Sequence, residues 1–232
     1  MTAPAGSAIH HQVAEFAWRV KNWVRPMGLN ALGLPCQLMG TGMAIPWNLI
    51  RKANLSSGLI VEDLKLGLEL ASAGHYPQFC PSAVVTSTFP NSIKGAKAQR
   101  QRWEQGQIGL IFSQALPLIF VAIKRRDIRL LVLILDLLVP PLSLFVMILA
   151  ASILVNLIAI LIDFSFNALL ISTSCLSVVI LAIVLAWFKY GRDILPAKSL
   201  GQMPVYIASK FGVYVGALLG HRISLWTRAD RS

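Results

Sequence analysis

The segment QRQRWEQGQIGLIFSQALPLIFVAIKRRDIR, residues 99–129, joins a polar part of the chain to a strongly apolar part. Its first five residues supply two guanidinium groups, two amides and an indole, which together can bind a phosphate and stack on a sugar ring. The same five residues are also typical of a solvated basic helix face with one buried tryptophan. The sequence around them has to distinguish these two interpretations.

The apolar run that follows, residues 108–123, is shorter than the roughly 20 residues that a bilayer requires, and it contains Pro117. It therefore predicts an interfacial helix that lies under the lipid headgroups. The basic cluster at residues 124–129 predicts an anchor on the cytoplasmic surface of the membrane.

The overall composition also indicates a membrane protein. The 232 residues are 56% hydrophobic and 13% charged, and their net charge is +11. Residues 130–188 contain two Asp and no Lys or Arg, so the positive charge is confined to the two ends of the chain. Because no basic stripe is interleaved with aromatic residues, a nucleic-acid partner is not expected. Nucleotide phosphates and the anionic headgroups of membrane lipids are the expected partners of this charge.

Two apolar runs are long enough to cross a bilayer. Residues 130–162 exceed the required length and predict either one long, kinked helix or a span followed by a short return. Asp136 within this run is expected to pair with Arg129 or with a neighbouring helix. Residues 168–188 predict a second span, and the basic flanks place both outer ends in the cytoplasm.

The tail, residues 203–220, carries a small residue at every fourth position and predicts an interfacial helix suited to close packing. The sequence thus predicts four parts: residues 1–107 as a cytoplasmic domain, 108–129 as an interfacial helix with its anchor, 130–190 as two transmembrane helices, and 191–232 as an interfacial helix with a basic tail.

The cytoplasmic part combines helical and extended patterns, so its predicted class is α+β. Residues 12–27 predict an amphipathic helix that stops at Pro26. Residues 34–46 predict a strand interrupted by glycines, and the β-branched residues 78–88 predict a second strand. Between the two strands, residues 62–73 predict a helix that ends at Gly74.

Glu62 and Asp63 lie in the first turn of that helix. Acidic residues at this position interact favourably with the free N–H groups of the first turn, so a structural role explains them. An Asp at the mouth of a pocket can also accept a proton from a hydroxyl nucleophile. Both interpretations stay open on local sequence alone. The three cysteines have no metal-site spacing, and they are expected to be reduced, apolar fillers.

The order of Gly40-Thr41-Gly42, Glu62-Asp63 and Gln99-Arg100-Gln101-Arg102-Trp103, followed by membrane segments, resembles the membrane-bound family 2 glycosyltransferases. This group includes the cellulose, hyaluronan, chitin and poly-N-acetylglucosamine synthases. The resemblance implies the C-terminal half of a GT-A-type domain and an inverting transfer of a hexose from a nucleotide-sugar donor to a glycan or lipid acceptor.

The resemblance also implies roles for individual residues. Asp63 matches the catalytic base, and Glu62 would support it. The sites implied for substrate binding are Gln99 and Arg102 for the donor diphosphate, Trp103 for the acceptor sugar, and Gly40 and Gly42 for the loop beside the acceptor. The family also uses a divalent metal, Mg²⁺ or Mn²⁺, held by a D-x-D motif. No D-x-D occurs in these 232 residues, so the metal ligands are expected outside them, together with the donor-binding half.

Two other functions fit the same sequence. One is that of a two-span membrane protein that binds a partner through Gly212, Gly216 and Gly220 and retains the catalytic motifs as remnants. Alternatively, it is an enzyme that makes a polyprenyl-linked monosaccharide, which differs from the first function only in its acceptor.

Overall fold

Helices account for most of the structure. The computed structural model describes residues 1–2, 9–53, 61–89, 93–162 and 166–218. The α-helices, in chain order, are α1 (Ile9–Arg19), α2 (Arg25–Ala31), α3 (Trp47–Ile50), α4 (Glu62–Ser72), α5 (Ile93–Leu110), α6 (Leu116–Lys124), α7 (Ile128–Leu138), α8 (Leu142–Ile160), α9 (Phe166–Tyr190), α10 (Met203–Ser209) and α11 (Phe211–Leu218). Two π-helical turns, Val20–Val24 and Ile111–Ala115, and one 3-10 turn, Ala197–Gln202, connect neighbouring helices.

The predicted α+β class is wrong. Among the described residues, the segments 34–46 and 78–88 form no strands, and the one β-bridge pairs Thr2 with Thr88. The Cys36 N–H donates to the Pro77 carbonyl at 3.1 Å, but this contact does not extend into a ladder. The reason is chemical, since prolines remove the N–H groups that a ladder requires and glycines weaken an extended segment. These segments form loops that pack on helices.

The N-terminal helix continues through Pro26, where the sequence predicted its end. The π-helical turn Val20–Val24 follows α1 directly, and Pro26 then falls in the first turn of α2, where a missing N–H is tolerated. The helix predicted over residues 62–73 is confirmed as α4. Gly74 follows it with φ +89°, and the His75 N–H donates to the Leu70 carbonyl at 2.8 Å.

Helix α7 forms the centre of the main hydrophobic core. The side chains of Leu130, Leu133, Ile134 and Leu137 are at most 1% exposed, and they pack with apolar residues of α4 and α6. The chain then bends at Pro140-Pro141 before α8 begins. The long apolar run at 130–162 is therefore divided into a core helix and a separate, longer helix.

The packing of α7 gives a stability prediction. Leu133 is 0% exposed, whereas Leu135 on the same helix is 50% exposed. We expect Leu133→Ala to lower the free energy of unfolding by about 2–5 kcal/mol, because it removes transfer energy and leaves a cavity. Thermal melting in detergent measures the effect, with Leu135→Ala as the matched control. Equal losses of stability in Leu133→Ala and Leu135→Ala would show that α7 is not a core helix.

Three helical stretches among the described residues are long and apolar enough to cross a membrane, where the sequence predicted two spans and an interfacial helix. They are Gln101–Lys124, Leu142–Ile160 and Phe166–Tyr190. The prediction and the structure differ in the first stretch, which the sequence predicted to be a short interfacial helix. The stretch is longer than predicted because a π-helical turn joins α5 to α6, and Pro117 lies in the first turn of α6 without breaking the helix.

Polar contacts tie the helices together. Arg25 forms an ion pair with Asp136 of α7, as expected for a partner on a neighbouring helix. Lys210 donates to Glu104 of α5 at 2.7 Å. Lys210 also separates α10 from α11, so the single tail helix predicted over residues 203–220 is two helices as far as Leu218. Gly220 lies outside the described residues.

Candidate functional site

A cavity of about 510 Å³ lies where the N-terminal helix, the loop after residue 38, the start of α4 and the middle of α5 meet. The residues that line it are Met1, Trp18, Lys21, Asn22, Met39, Gly40, Thr41, Met43, Ile45, Ile50, Val61, Glu62, Asp63, Leu64, Leu66, Ser87, Gln99 and Trp103. Five of the seven site residues predicted from the sequence therefore line one cavity: Gly40, Glu62, Asp63, Gln99 and Trp103.

Asp63 occupies the first turn of α4 and is partly buried, while its neighbour Glu62 is exposed. Burial raises the pKa of Asp63 above its ordinary value, and the adjacent Glu62 charge raises it further. The backbone N–H groups of Leu64 and Asp63 and the charge of Lys21 act in the opposite direction. A carboxylate with a raised pKa is a stronger base, so Asp63 is suited to accepting a proton at the cavity wall.

The loop before α3 passes close to Asp63 because it contains glycine. Gly40 has φ +76°, and a Cβ at this position would lie 3.0 Å from Asp63 Oδ2. Gly42 has φ +75°, but it faces Val85, whose Cγ2 would lie 2.8 Å from an added Cβ. Gly40 therefore makes room for the Asp63 carboxylate, whereas Gly42 fixes the loop against the segment that contains Val85.

This geometry predicts a specific effect of a methyl group at residue 40. We expect Gly40→Ala to impair any proton transfer to Asp63, because the methyl group displaces the carboxylate. The matched control is Gly33→Ala, since Gly33 also has positive φ, +68°, but nothing lies within 4 Å of its added Cβ. Both variants should lose about 1–2 kcal/mol of stability from the left-handed backbone. Equal activity of the two variants would contradict the role of Gly40.

Helix α5 brings the other nominated residues to the cavity. Gln99 and Trp103 are four residues apart, so they share a helix face, and both line the cavity. The helix approaches α4 closely at Gly106, where an added Cβ would lie 2.7 Å from Val61 Cγ1. Arg102 is partly buried on the same helix, but it is not among the described residues that line the cavity.

The N-terminal helix contributes three lining residues that the sequence did not nominate: Trp18, Lys21 and Asn22. The Trp18 and Trp103 rings lie with their centroids 5.0 Å apart and their planes inclined by 36°. The spacing i, i+3, i+4 was a signal that these side chains share one face, but the same spacing is typical of any amphipathic helix. The π-helical turn in this region, which the sequence did not indicate, is a feature frequently found at functional sites.

Two amide oxygens at the cavity lack a partner. Within the part of the chain that the structure describes, Gln99 Oε1 and Asn22 Oδ1 are buried and accept no hydrogen bond. Leaving a buried acceptor unsatisfied costs about 1–3 kcal/mol, so each amide would gain from a hydrogen-bond donor that a rotation of its side chain brought within reach. The two tryptophan rings and the carboxylate match the chemistry of a sugar, which has apolar ring faces and hydroxyl edges.

The described residues do not form a complete divalent-metal site. Among the described residues, no three His, Cys, Asp or Glu side chains lie close enough to hold an ion together. Glu62 and Asp63 are the two carboxylates at the cavity, whereas Mg²⁺ and related ions require a larger set of oxygen ligands. The resemblance implies a metal, but no described residue can be assigned to it as part of a complete site.

Comparison with known proteins gives one match. The sequence model described as glycosyl transferase family group 2 matches residues 8–190, which include every predicted site residue and all three candidate spans. No curated protein and no solved structure matches the chain. The match gives no support for a cellulose, hyaluronan or chitin synthase in particular. Because the match covers well over half of its 232 residues, the chain belongs to glycosyl transferase family group 2.

Proposed function

We propose that the cavity is the acceptor side of an inverting glycosyltransferase site, in which Asp63 is the catalytic base. Asp63 takes the proton of an acceptor hydroxyl as its oxygen attacks the anomeric carbon of a nucleotide sugar. The new glycosidic C–O bond forms while the bond to the donor phosphate breaks, and the electron pair leaves with the nucleoside diphosphate. The observation that carries this proposal is the meeting of Asp63, Gln99 and Trp103 at one cavity.

The base role is supported by where Asp63 lies. Its carboxylate is next to the space that Gly40 leaves open, and no ion pair involves Asp63 among the described residues. Burial raises its pKa, which increases its basicity toward a hydroxyl proton. Glu62, beside it at the helix start, supports the base by raising its pKa further.

Positioning of the acceptor is assigned to the aromatic pair and to Asn22. Trp103, backed by Trp18, is the platform for the acceptor sugar, and a rotation of the Asn22 side chain would let its unpartnered oxygen accept from a sugar hydroxyl. Gln99 and Arg102 remain the proposed contacts of the donor diphosphate at the edge of the site, a role that the family resemblance implies.

We assign the proposed reaction to the cytoplasmic membrane face, and the basic residues that flank the apolar helices support this assignment. The donor is a nucleotide sugar that carries a hexose, and the acceptor is a glycan or a lipid held near that surface. Apolar side chains, among them Met39, Met43, Ile45 and Ile50, form much of the cavity wall, which suits either a sugar face or a lipid segment.

A transfer assay tests the function. Membranes from cells that make the chain, and from matched cells in which its gene is deleted, are incubated with a panel of radiolabelled nucleotide sugars. We expect incorporation from at least one donor to disappear on deletion and to return when the gene is restored. Partition of the product into organic solvent distinguishes a lipid acceptor from a polysaccharide. Unchanged incorporation across the whole panel would favour a non-catalytic membrane protein.

A further inference from the structure

Lys21 supplies the basic side chain of the cavity. Of the described residues that line it, Lys21 is the one Lys or Arg, and it lies on the helix face that also presents Trp18 and Asn22. Arg102, to which the sequence assigned the diphosphate, is on α5 and outside the lining. The basic side chain of the cavity therefore comes from the N-terminal helix and not from the family motif.

The Lys21 ammonium group is held in place by a buried chain of hydrogen bonds. Lys21 Nζ donates to Gln107 Oε1 at 2.8 Å, and Gln107 is 4% exposed. Gln107 Nε2 donates to the Leu137 and Val139 carbonyls, at 3.3 Å and 2.9 Å. An ammonium group has three N–H donors, and this contact is its one hydrogen bond among the described residues, so two donors remain for a ligand.

The charges that surround Lys21 are mostly committed to other partners. Arg25 and Asp136 form one ion pair, and Glu104 pairs with Lys210. Asp63, which also lines the cavity, attracts Lys21 without forming an ion pair with it. No described carboxylate forms an ion pair with Lys21, so its positive charge is available to an anion that enters the cavity.

We infer that Lys21 is a phosphate-binding residue of this site, held by Gln107 so that its free N–H groups contact a phosphate of the substrate. The inference rests on the proposed function, in which negative charge develops on the departing diphosphate when the anomeric C–O bond breaks. A fixed ammonium group stabilises that charge. The same chemistry would bind the phosphate of a lipid-linked acceptor, so the donor and the acceptor are the two sources to be distinguished.

The protonation behaviour of Lys21 gives a readout that a merely structural lysine would not show. Burial lowers its pKa to about 8, with Arg25 acting in the same direction and Glu104, Asp136 and Asp63 in the opposite one. Below pH 8 the group is charged and binds an anion, and above pH 8 the free protein loses that charge. Arginine at this position would keep its charge throughout.

Ligand binding to the purified chain in phospholipid nanodiscs tests the inference. One arm titrates UDP and GDP, and a second arm uses nanodiscs doped with a polyprenyl phosphate. We expect Lys21→Gln to weaken binding about tenfold or more in one arm, which identifies the source of the phosphate. Lys65→Gln is the control, because it removes a positive charge that pairs with Glu69 on the surface of α4. Wild-type binding should weaken as the pH rises through about 8, and Lys21→Arg should bind independently of pH over that range.

The outcomes separate this inference from the proposed function. Equal binding by wild type and Lys21→Gln, or no wild-type binding in either arm, would overturn the role of Lys21 even if glycosyl transfer is observed. Binding that depends on Lys21 but persists in Asp63→Asn, which lacks the proposed base, supports the inference whatever the transfer assay shows.

Discussion

Asp63→Asn should reduce glycosyl transfer by about 10²–10⁴-fold while leaving the chain folded and inserted in the membrane. The amide has nearly the same shape as the carboxylate, so the space beside Gly40 is still filled, but it cannot accept the hydroxyl proton. The measurement is initial transfer rate in membranes, normalised to the amount of inserted protein, with the nucleotide sugar that the donor panel identifies.

Glu69→Gln is the matched control for this substitution. Glu69 lies on the same helix, α4, and pairs with Lys65 away from the cavity, so its loss of charge should leave the transfer rate unchanged. Full activity of Asp63→Asn would remove Asp63 from the mechanism. Equal losses of transfer rate in Asp63→Asn and Glu69→Gln would indicate a general effect of charge on α4.

The pH dependence of the wild-type rate provides a second measurement on the same residue. Asp63 accepts a proton only when it is ionised, so activity should fall as the pH drops through its pKa. Because burial raises that pKa, the fall should occur at a higher pH than for an ordinary aspartate, whose pKa is about 3.9. An acid limb at or below the ordinary value would contradict the buried environment assigned to Asp63.

Trp103→Ala should reduce transfer about thirtyfold, mainly through a higher KM for the acceptor. Truncating a tryptophan at the centre of a binding site typically costs about 2 kcal/mol or more, and each 1.4 kcal/mol corresponds to about tenfold. Trp103→Phe should retain much of the activity, since it keeps a flat ring opposite Trp18.

Trp47→Ala is the matched control for the aromatic platform. Trp47 begins α3, is 76% exposed and does not line the cavity. The kinetic parameters of the Trp47 and Trp103 variants are compared under identical acceptor concentrations. An unchanged acceptor KM in Trp103→Ala would exclude the platform role, and a loss in Trp47→Ala of similar size would point to an effect of bulk hydrophobicity.

The sequence identified the helices of the soluble part more reliably than its extended segments. Helix α4 was predicted almost to the residue, because its apolar period and Gly74 are local signals. The two strands predicted over residues 34–46 and 78–88 do not form. A strand depends on a pairing partner, which an isolated run of β-branched residues cannot specify. The continuation of the helix past Pro26 depended on a π-helical turn, for which the sequence has no comparable signal.

The residues of the candidate site were likewise predictable only where they lie in local sequence motifs. Gly40, Asp63, Gln99 and Trp103 were predicted together because they lie in short motifs whose order is typical of the family. Their roles stay predictions until transfer is measured. The wall formed by Trp18, Lys21 and Asn22 could not be predicted, because it depends on tertiary contacts such as that of Lys21 with Gln107, 86 residues away along the chain. Local periodicity predicts a helix face but not what the face contacts.

The helix that carries Gln99 and Trp103 passes through a π-helical turn and continues to Lys124, so Trp103 and the apolar stretch are parts of one helical rod. At about 1.5 Å per residue, the rod is long enough to reach from the cavity through most of a bilayer. A tilt of the apolar end of this helix would therefore also move Trp103 at the other end, so we expect bilayer thickness to influence the geometry of the cavity.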